Sequence, residues 1–388
     1  MSNTGFLGGV VFVLVFGGMI LVHELGHFVA ARLLKIDVEE FGFGIPPRIA
    51  GVVRDSTNKW RFFFGQKVPQ LDKQTRSHTI ISLNWIPLGG FNRFKGEEDP
   101  TAAGGLAAAA PWKRIVMLLS GAAMNLLTAV VAYTFLFSQI GVPQPHTVII
   151  SEVSPNSPAE AAGIKADDIV LTAAGEKITD IVQLQTITRA HLDQPISLVI
   201  ERGGQQIELS VTPLSSRPKE AGAMGVLLGN PWKTPSSWFA TIPISFEATY
   251  GSIRALLALP GQIIAGVVKP EEAQLAGPRS IWNLFQATVA SDMQSREAPA
   301  GSTDQQPTNY TLMAIISLTI SLGVLNLLPV PALDGGRILF TLPELLTRKR
   351  IPPRFEAMVH GAGLMLLVAV LGYFYILDFI RPVAINLP

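Results

Sequence analysis

Four long apolar runs constrain the fold of this chain more than any other feature of its sequence. They cover residues 6–22 with an apolar continuation to 34, then 115–140, 311–333 and 358–377. About 20 helical residues cross the hydrocarbon core of a bilayer, so each run is long enough for a span. The first run has no basic segment before it and no small-residue cleavage site after it, so we expect a retained helix rather than a signal peptide. The runs predict a multi-pass α-helical membrane protein with four transmembrane helices.

Composition supports this prediction and excludes several functions. Of the residues, 48% are hydrophobic and only 15% are charged, against about 25% charged in a typical soluble domain. The net charge of +1 offers no basis for a nucleic-acid partner. The chain has no cysteine, which excludes disulfides, thiol catalysis and cysteine-based metal sites.

The distribution of basic residues predicts the orientation in the membrane. Segment 32–114 has 13 Lys and Arg against 8 Asp and Glu, and loop 337–354 has 5 against 1. Segment 141–310 has 11 against 16. Basic loops stay on the cytoplasmic side. We therefore expect both termini and segment 141–310 outside, and the two basic loops inside.

Residues 143–213 are typical of a compact α/β module. Ser157 and Gly163 are suited to begin and end a short helix, 180–190 predicts an amphipathic helix, and Gly203-Gly204 predicts a hairpin turn. The stretch SPAEAAGIKADDIV at 157–170 resembles PDZ domains of bacterial membrane proteases. Domains of that kind bind peptides by β-augmentation, although a purely steric plug remains an alternative.

The chain between this module and the third run is less regular. Residues 238–268 are apolar with sparse charges and predict amphipathic helices on the membrane surface. Residues 291–309 are rich in Ser, Pro, Gly and Gln and predict a flexible linker. His360 and Asp378 have no sequence feature that associates them with a site, so we expect them to be structural.

The first span contains the motif His23-Glu24-Leu25-Gly26-His27. Residues four apart share one face of a helix, so both imidazoles can bind one zinc ion while Glu24 takes a proton from water. Ionisable residues inside a span are costly and therefore indicate function, although a structural hydrogen-bonded cluster is the alternative.

A catalytic zinc needs a third protein ligand, and Asp334 is the acidic residue at a comparable membrane depth. It follows Asn326-Leu327-Leu328-Pro329-Val330-Pro331-Ala332-Leu333 and precedes Gly335-Gly336. The prolines and glycines predict a break in the helix. Irregular backbone of this kind is tolerated inside a membrane where protein or a water-lined cavity satisfies its polar groups. The alternative role of Asp334 is a helix N-cap.

Together these motifs resemble the site-2 protease family of intramembrane zinc metalloproteases, close to the bacterial regulator of sigma-E protease type with a single PDZ domain. HELGH, NLLPVP, ALDGG, FGFG and IPLGGF match the family's motifs, and GAAMN at 121–125 matches with Ala122 in place of proline. The resemblance implies one zinc bound by His23, His27 and Asp334, with Glu24 as the acid–base residue. It also implies that Asn326 contacts the substrate backbone or the developing oxyanion, with an interhelical hydrogen bond as its alternative. Asn125 is as well explained by packing.

The resemblance also implies the activity: cleavage within the transmembrane segment of a single-span substrate after another protease has trimmed its outer domain. An anti-sigma factor or a signal-peptide remnant would fit, with the PDZ domain gating or binding the substrate. It implies the inner membrane of a bacterium, with the active site toward the cytoplasmic half. A metal-binding transporter and a non-catalytic PDZ scaffold are the alternative functions.

The expected organisation follows the spans, and two segments, 51–78 and 291–309, look like insertions relative to the family. The expected parts are transmembrane helix 1 at 1–35, a cytoplasmic-side membrane-associated β-hairpin and loop at 36–111, helix 2 at 112–140, an extracytoplasmic PDZ domain at 141–215, amphipathic helices and linker at 216–310, helix 3 at 311–340, and a loop with helix 4 at 341–388.

Overall fold

A computed structural model describes residues 3–55, 59–68, 79–97, 99–144, 146–216, 222–235, 237–266, 277–297 and 309–380. These residues form two compact units. One combines 1–136 with 242–388, here called the membrane unit, and the other is Phe137–Thr241, here called the second unit. The helices are α1 (Asn3–Leu33), α2 (Pro111–Ile140), α3 (Pro158–Ala161), α4 (Ile181–Ala190), α5 (Ile242–Ile264), α6 (Pro278–Glu297), α7 (Tyr310–Leu327), α8 (Asp334–Thr347) and α9 (Pro353–Ile380). The strands are β1 (Val38–Arg54), β2 (Trp60–Phe64), β3 (Ile80–Phe94), β4 (Val142–Pro143), β5 (Val148–Val153), β6 (Ile169–Ala173), β7 (Glu176–Lys177), β8 (Ile196–Arg202), β9 (Gln205–Val211), β10 (Val226–Gly229) and β11 (Trp232–Lys233).

Four helices of the described chain are long and apolar enough to cross a membrane, as the apolar runs predicted. They cover Leu7–Leu33 in α1, Pro111–Ile140 in α2, Tyr310–Leu327 in α7 and Arg354–Ile380 in α9. Much of their apolar surface is exposed, most of all on α9. An apolar surface of this extent is stable against lipid and not against water.

The segment between α1 and α2 forms a three-stranded antiparallel sheet, where the sequence predicted a hairpin. β1 lies in the centre, with β2 on one side and β3 on the other. The additional strand comes from the long segment 51–78, of which 56–58 and 69–78 lie outside the described residues. Its aromatic run Trp60–Phe64 has high strand propensity and pairs with Ala50–Arg54.

The predicted linker at 291–309 is wrong for its first part, because residues 291–297 continue helix α6. Met293, Gln294 and Arg296 are good helix formers. Asp292 accepts hydrogen bonds from the backbone N–H groups of Tyr310 (2.9 Å) and Thr311 (3.0 Å) at the start of α7. A carboxylate at a helix N-terminus satisfies free amides and favours the helix dipole. The rest of the predicted linker, 298–308, lies outside the described residues.

Asp378 has a capping role within the membrane unit. Its Oδ2 accepts from the backbone N–H groups of Arg279 (3.0 Å) and Ser280 (3.1 Å), in the first turn of α6. The carboxylate therefore ties α9 to α6, and its contacts agree with the structural role expected from the sequence.

The second unit is a sheet of order β10-β5-β6-β8-β9, with β7 paired to β6. Its core contains Val148, Val170, Leu184 and Ile200 among other buried apolar residues. The local predictions for this unit are confirmed. Ser157 Oγ accepts from Glu160 N–H at 3.1 Å, 181–190 is helical, and Gly203-Gly204 joins β8 to β9 with positive φ at both glycines.

Two strands of the second unit come from beyond the segment expected to form the module. β10 pairs with β5 at one edge of the sheet, and β11 pairs with β4. The buried Asp168 is held by Arg202, whose Nε lies 2.6 Å from Oδ1. This hydrogen bond raises the pKa of Arg202.

Candidate metal centre

Helix α1 places the two imidazoles of the H-E-x-x-H motif side by side. His23 and His27 are one helical turn apart on the same face, and both are buried. Their Nε2 atoms lie 3.1 Å apart. The helical spacing alone therefore brings two potential ligand atoms to one point.

Asp334 reaches the same point because the chain breaks after α7. Helix α7 ends at Leu327, and α8 begins with Asp334. Between the two helices, the backbone is extended at Leu328 and at Leu333. Its Oδ2 lies 3.0 Å from His23 Nε2 and 3.2 Å from His27 Nε2. The N-cap position of α8 belongs to Leu333, so the alternative of Asp334 as an N-cap is not what the structure contains.

The three ligand atoms form a triangle with sides of 3.0–3.2 Å. Ligands about 2.0–2.1 Å from a tetrahedral zinc ion are separated by roughly 3.3 Å. Two neutral imidazoles and one carboxylate also form a known donor set for catalytic zinc, which keeps a fourth position open. The residues present fit a zinc ion in both spacing and chemistry.

The far nitrogens of both imidazoles also have partners. His27 Nδ1 lies 2.8 Å from the backbone oxygen of Met117, which accepts its proton and leaves the Nε2 lone pair free for a metal. His23 Nδ1 lies 3.4 Å from the fully buried amide of Asn125. That contact is made by Asn125 Nδ2, whereas Asn125 Oδ1 has no partner among the described residues; with the amide rotated by 180°, Oδ1 would accept the Nδ1 proton of His23.

Helix α2 can approach the imidazoles this closely because small residues face them. A Cβ atom at Gly121 would lie 2.5 Å from His27 Nε2 and 2.7 Å from a ring carbon of His23. A Cβ at Gly26 would collide with the backbone oxygen of Ser120. Glycine at these two positions lets the helices pack tightly and keeps the space beside the ligand atoms free.

Strand β3 holds the glutamate of the motif. Asn92 Nδ2 donates to the backbone oxygen of Glu24 at 2.7 Å and to its Oε2 at 2.8 Å. This double contact orients the carboxylate and couples the sheet to α1. The sequence analysis did not single out Asn92, because residues 68 apart carry no local signal of contact.

A cavity of about 320 Å³ connects these groups. Its lining includes all three ligand residues, Glu24, Asn92 and Asn326. Asn326 lies in the last turn of α7, so the break that frees Asp334 also puts this amide at the cavity. An ion pair of 2.7 Å between Arg337 and Glu97 lies along the same wall.

The chain resembles a known family over nearly its whole length. Residues 11–370 match the model of peptidase family M50. The chain belongs to peptidase family M50. It is a zinc metalloprotease of the site-2 type, and the family's catalytic metal is zinc.

Individual relatives agree with this membership. The chain is 30% identical over 376 residues to "Putative zinc metalloprotease CPE1693" of Clostridium perfringens, covering 95% of this chain and 98% of that protein. It is 26% identical over 392 residues to "Metalloprotease MmpA" of Caulobacter vibrioides, covering 90% and 89%. Among the alternatives raised by the sequence, neither a transporter nor a non-catalytic scaffold is favoured by membership of a peptidase family.

Proposed function

We propose that this M50 protease cleaves peptide bonds within the transmembrane segments of single-span proteins, with zinc held by His23, His27 and Asp334. One observation carries the proposal. The three ligand atoms converge within 3.2 Å of one another beside Glu24, and α1, which carries both histidines and Glu24, is long and apolar enough to cross a bilayer. A peptide bond must therefore reach this cavity from within or beside the membrane.

The residues of the cavity are suited to different steps of peptide-bond hydrolysis. When bound, zinc supplies Lewis acidity, which polarises a carbonyl and makes water a better nucleophile. Glu24 takes a proton from the attacking water and passes it to the leaving amine nitrogen. Asn92 holds the Glu24 carboxylate for this work, since it contacts both the backbone and the side chain of that residue.

Asn326 is the proposed contact to the substrate. Its amide lies in the wall of the cavity and can donate to the scissile carbonyl as negative charge develops on the oxygen. A donor that is fixed in place before the reaction stabilises such charge without a cost of reorganisation.

We further propose a bacterial inner-membrane location, with both termini and the second unit outside and the metal centre toward the cytoplasmic half. The charge bias of the loops supports this orientation. The second unit has the helix caps and hairpin that its sequence predicted, together with a buried core, which supports the PDZ resemblance. We infer a PDZ-type module that admits substrates whose outer domain has been trimmed, such as an anti-sigma factor or a signal-peptide remnant.

Mapping the cut in a membrane substrate tests the proposal. The full-length protein is placed in liposomes with a single-span substrate tagged at both ends, and the products are sized by mass spectrometry. We expect a zinc-dependent cut inside the apolar span. Cleavage only in the polar flanks, at a rate that chelation of zinc abolishes, would leave the family chemistry intact and overturn the intramembrane proposal.

A further inference from the structure

A second cavity of about 390 Å³ adjoins the catalytic one inside the membrane unit, and we call it the basic cavity. The two cavities share Glu97, Met117, Leu118 and Arg337 in their walls. The remaining polar lining residues of the basic cavity are Arg114, Thr341, Arg350, Arg354, Glu356 and His360. Nothing in the proposed hydrolysis uses these six side chains.

Three buried N–H donors in the lining of the basic cavity have no hydrogen-bond partner among the described residues. They are Arg114 Nε, Arg350 Nε and His360 Nε2. The side chain of Arg114 is only 9% exposed. A buried polar group without a partner is unfavourable, so three such donors in one cavity favour binding of an acceptor there.

The proton on His360 Nε2 follows from the other ring nitrogen. His360 Nδ1 accepts from the backbone N–H of Ala332 at 3.0 Å, so in the neutral ring the hydrogen is on Nε2. The nearest carboxylate oxygen, on Glu356, is 4.0 Å away, which is beyond hydrogen-bonding distance. The Nε2–H group of His360 therefore lacks a hydrogen-bond acceptor among the described residues, as the Nε–H groups of Arg114 and Arg350 do.

The charges of the basic cavity favour a single anion. Four arginines and two glutamates line it. A third glutamate, Glu344, pairs with Arg114 and lies 4.0 Å from Arg350 Nε. The balance of four positive and three negative side chains leaves one positive charge, which one phosphodiester would neutralise. Arginine guanidinium groups are well shaped to donate to phosphate oxygens.

We propose that the basic cavity binds the phosphate of an anionic membrane phospholipid. Its residues come from the loop side of the spans: Arg114 lies in the first turn of α2, Arg350 precedes α9, and His360 lies near the start of α9. The rest of α9 is largely exposed and apolar, for example at Met365 and Leu366. A lipid whose headgroup enters the cavity can lay its acyl chains along this helix.

The phosphate would also lie next to the loop that carries Asp334. Ala332 has φ +78, an unfavourable backbone conformation for a residue with a Cβ atom, and its N–H is held by His360. The same imidazole offers its other nitrogen to the basic cavity. A bound lipid phosphate therefore stabilises the position of His360, which in turn holds the strained backbone at Ala332, two residues before Asp334.

Lipid counting on the full-length protein tests the proposal. The protein is purified in detergent, mixed with phosphatidylglycerol or phosphatidylcholine, and its bound lipids are counted by native mass spectrometry. We expect phosphatidylglycerol to bind in preference, and Arg350→Gln to weaken its binding by about tenfold or more, the usual effect of losing a charge-assisted hydrogen bond. Zinc content reports that each variant is folded.

Arg348→Gln is the matched control, because Arg348 is exposed and lies in the same loop outside the cavity lining. It removes the same charge and should leave lipid affinity unchanged. A parallel titration of delipidated protein with inorganic phosphate distinguishes a lipid headgroup from free phosphate. If phosphate binds, Arg350→Gln abolishes that binding and neither lipid is preferred, then the cavity binds free phosphate and the lipid proposal is wrong. No binding of either probe, or equal losses in both arginine variants, would overturn the proposal.

Discussion

In the second unit, which has a continuous apolar core, the buried carboxylate of Asp168 is paired with Arg202. Around the metal centre, by contrast, His23, His27 and Asp334 contact one another, and apolar surface of the helices faces outward. A buried polar group paired within its own domain contributes to folding. Buried groups whose lone pairs converge on a shared point favour binding of a cation there. The comparison separates side chains that maintain a fold from side chains that perform chemistry.

The largest expected effect is on activity alone. Glu24→Gln keeps the size of the side chain and removes the base, so we expect cleavage to fall by roughly 100- to 10,000-fold while zinc stays bound. Metal analysis and a cleavage assay on the same preparation measure both. Glu247→Gln, at an exposed position on α5, is the control. Normal turnover of the Glu24 variant would remove this residue from the mechanism.

The next prediction concerns the ligands. Asp334→Ala leaves two imidazoles and no anionic ligand, so we expect zinc content and activity to fall together. Zinc is quantified after dialysis against a weak chelator. An unchanged zinc stoichiometry would show that Asp334 does not bind the metal.

The space beside the ligands gives a sharper test of the same site. Gly121→Ala places a methyl group against His27 Nε2 and should lower zinc affinity without removing any ligand. Gly18→Ala is the matched control, because a Cβ at Gly18 meets nothing within 4 Å. Equal zinc affinity in the two variants would contradict the proposed packing of α2 against the imidazoles.

The second unit should affect which substrates are cut and not the metal. Because β10 and β11 complete its sheets, a clean deletion replaces residues 141–241 by a flexible Gly/Ser linker. We expect the product to retain zinc and to cut substrates whose outer domain is intact at a rate comparable with trimmed ones. A zinc-loaded protein that fails even on trimmed substrate would indicate that the unit recruits substrates instead of filtering them.

The smallest effect is expected within the second unit itself. Asp168→Asn leaves Arg202 without its carboxylate and should lower the local stability of this unit by about 1–3 kcal/mol, with zinc content unchanged. Hydrogen exchange of backbone amides in 146–216 measures it. Glu176→Gln, at an exposed position on β7, should leave exchange as it is. Loss of zinc in the Asp168 variant would show that the two regions are not independent.

Features set by neighbouring residues were predictable from the sequence. The four spans follow from the length of apolar runs, and the cap at Ser157 and the turn at Gly203-Gly204 follow from local backbone requirements. The pair His23 and His27 follows from helical periodicity, and the break before Asp334 follows from two prolines and two glycines. In each case the physical cause acts within a few residues of the feature.

Contacts between distant segments were decided only by the tertiary structure. Asn92 meets Glu24 because β3 passes beside α1. Residues 291–297 are helical, and Asp292 among them accepts a hydrogen bond from the first turn of the distant helix α7. β10 joins its sheet across a gap in sequence from β5, and Arg114 of α2 lines one cavity together with Arg350 of the loop before α9 and His360 of α9. The sequence indicates that each side chain can donate, accept or bind, but only packing decides which partner lies within reach.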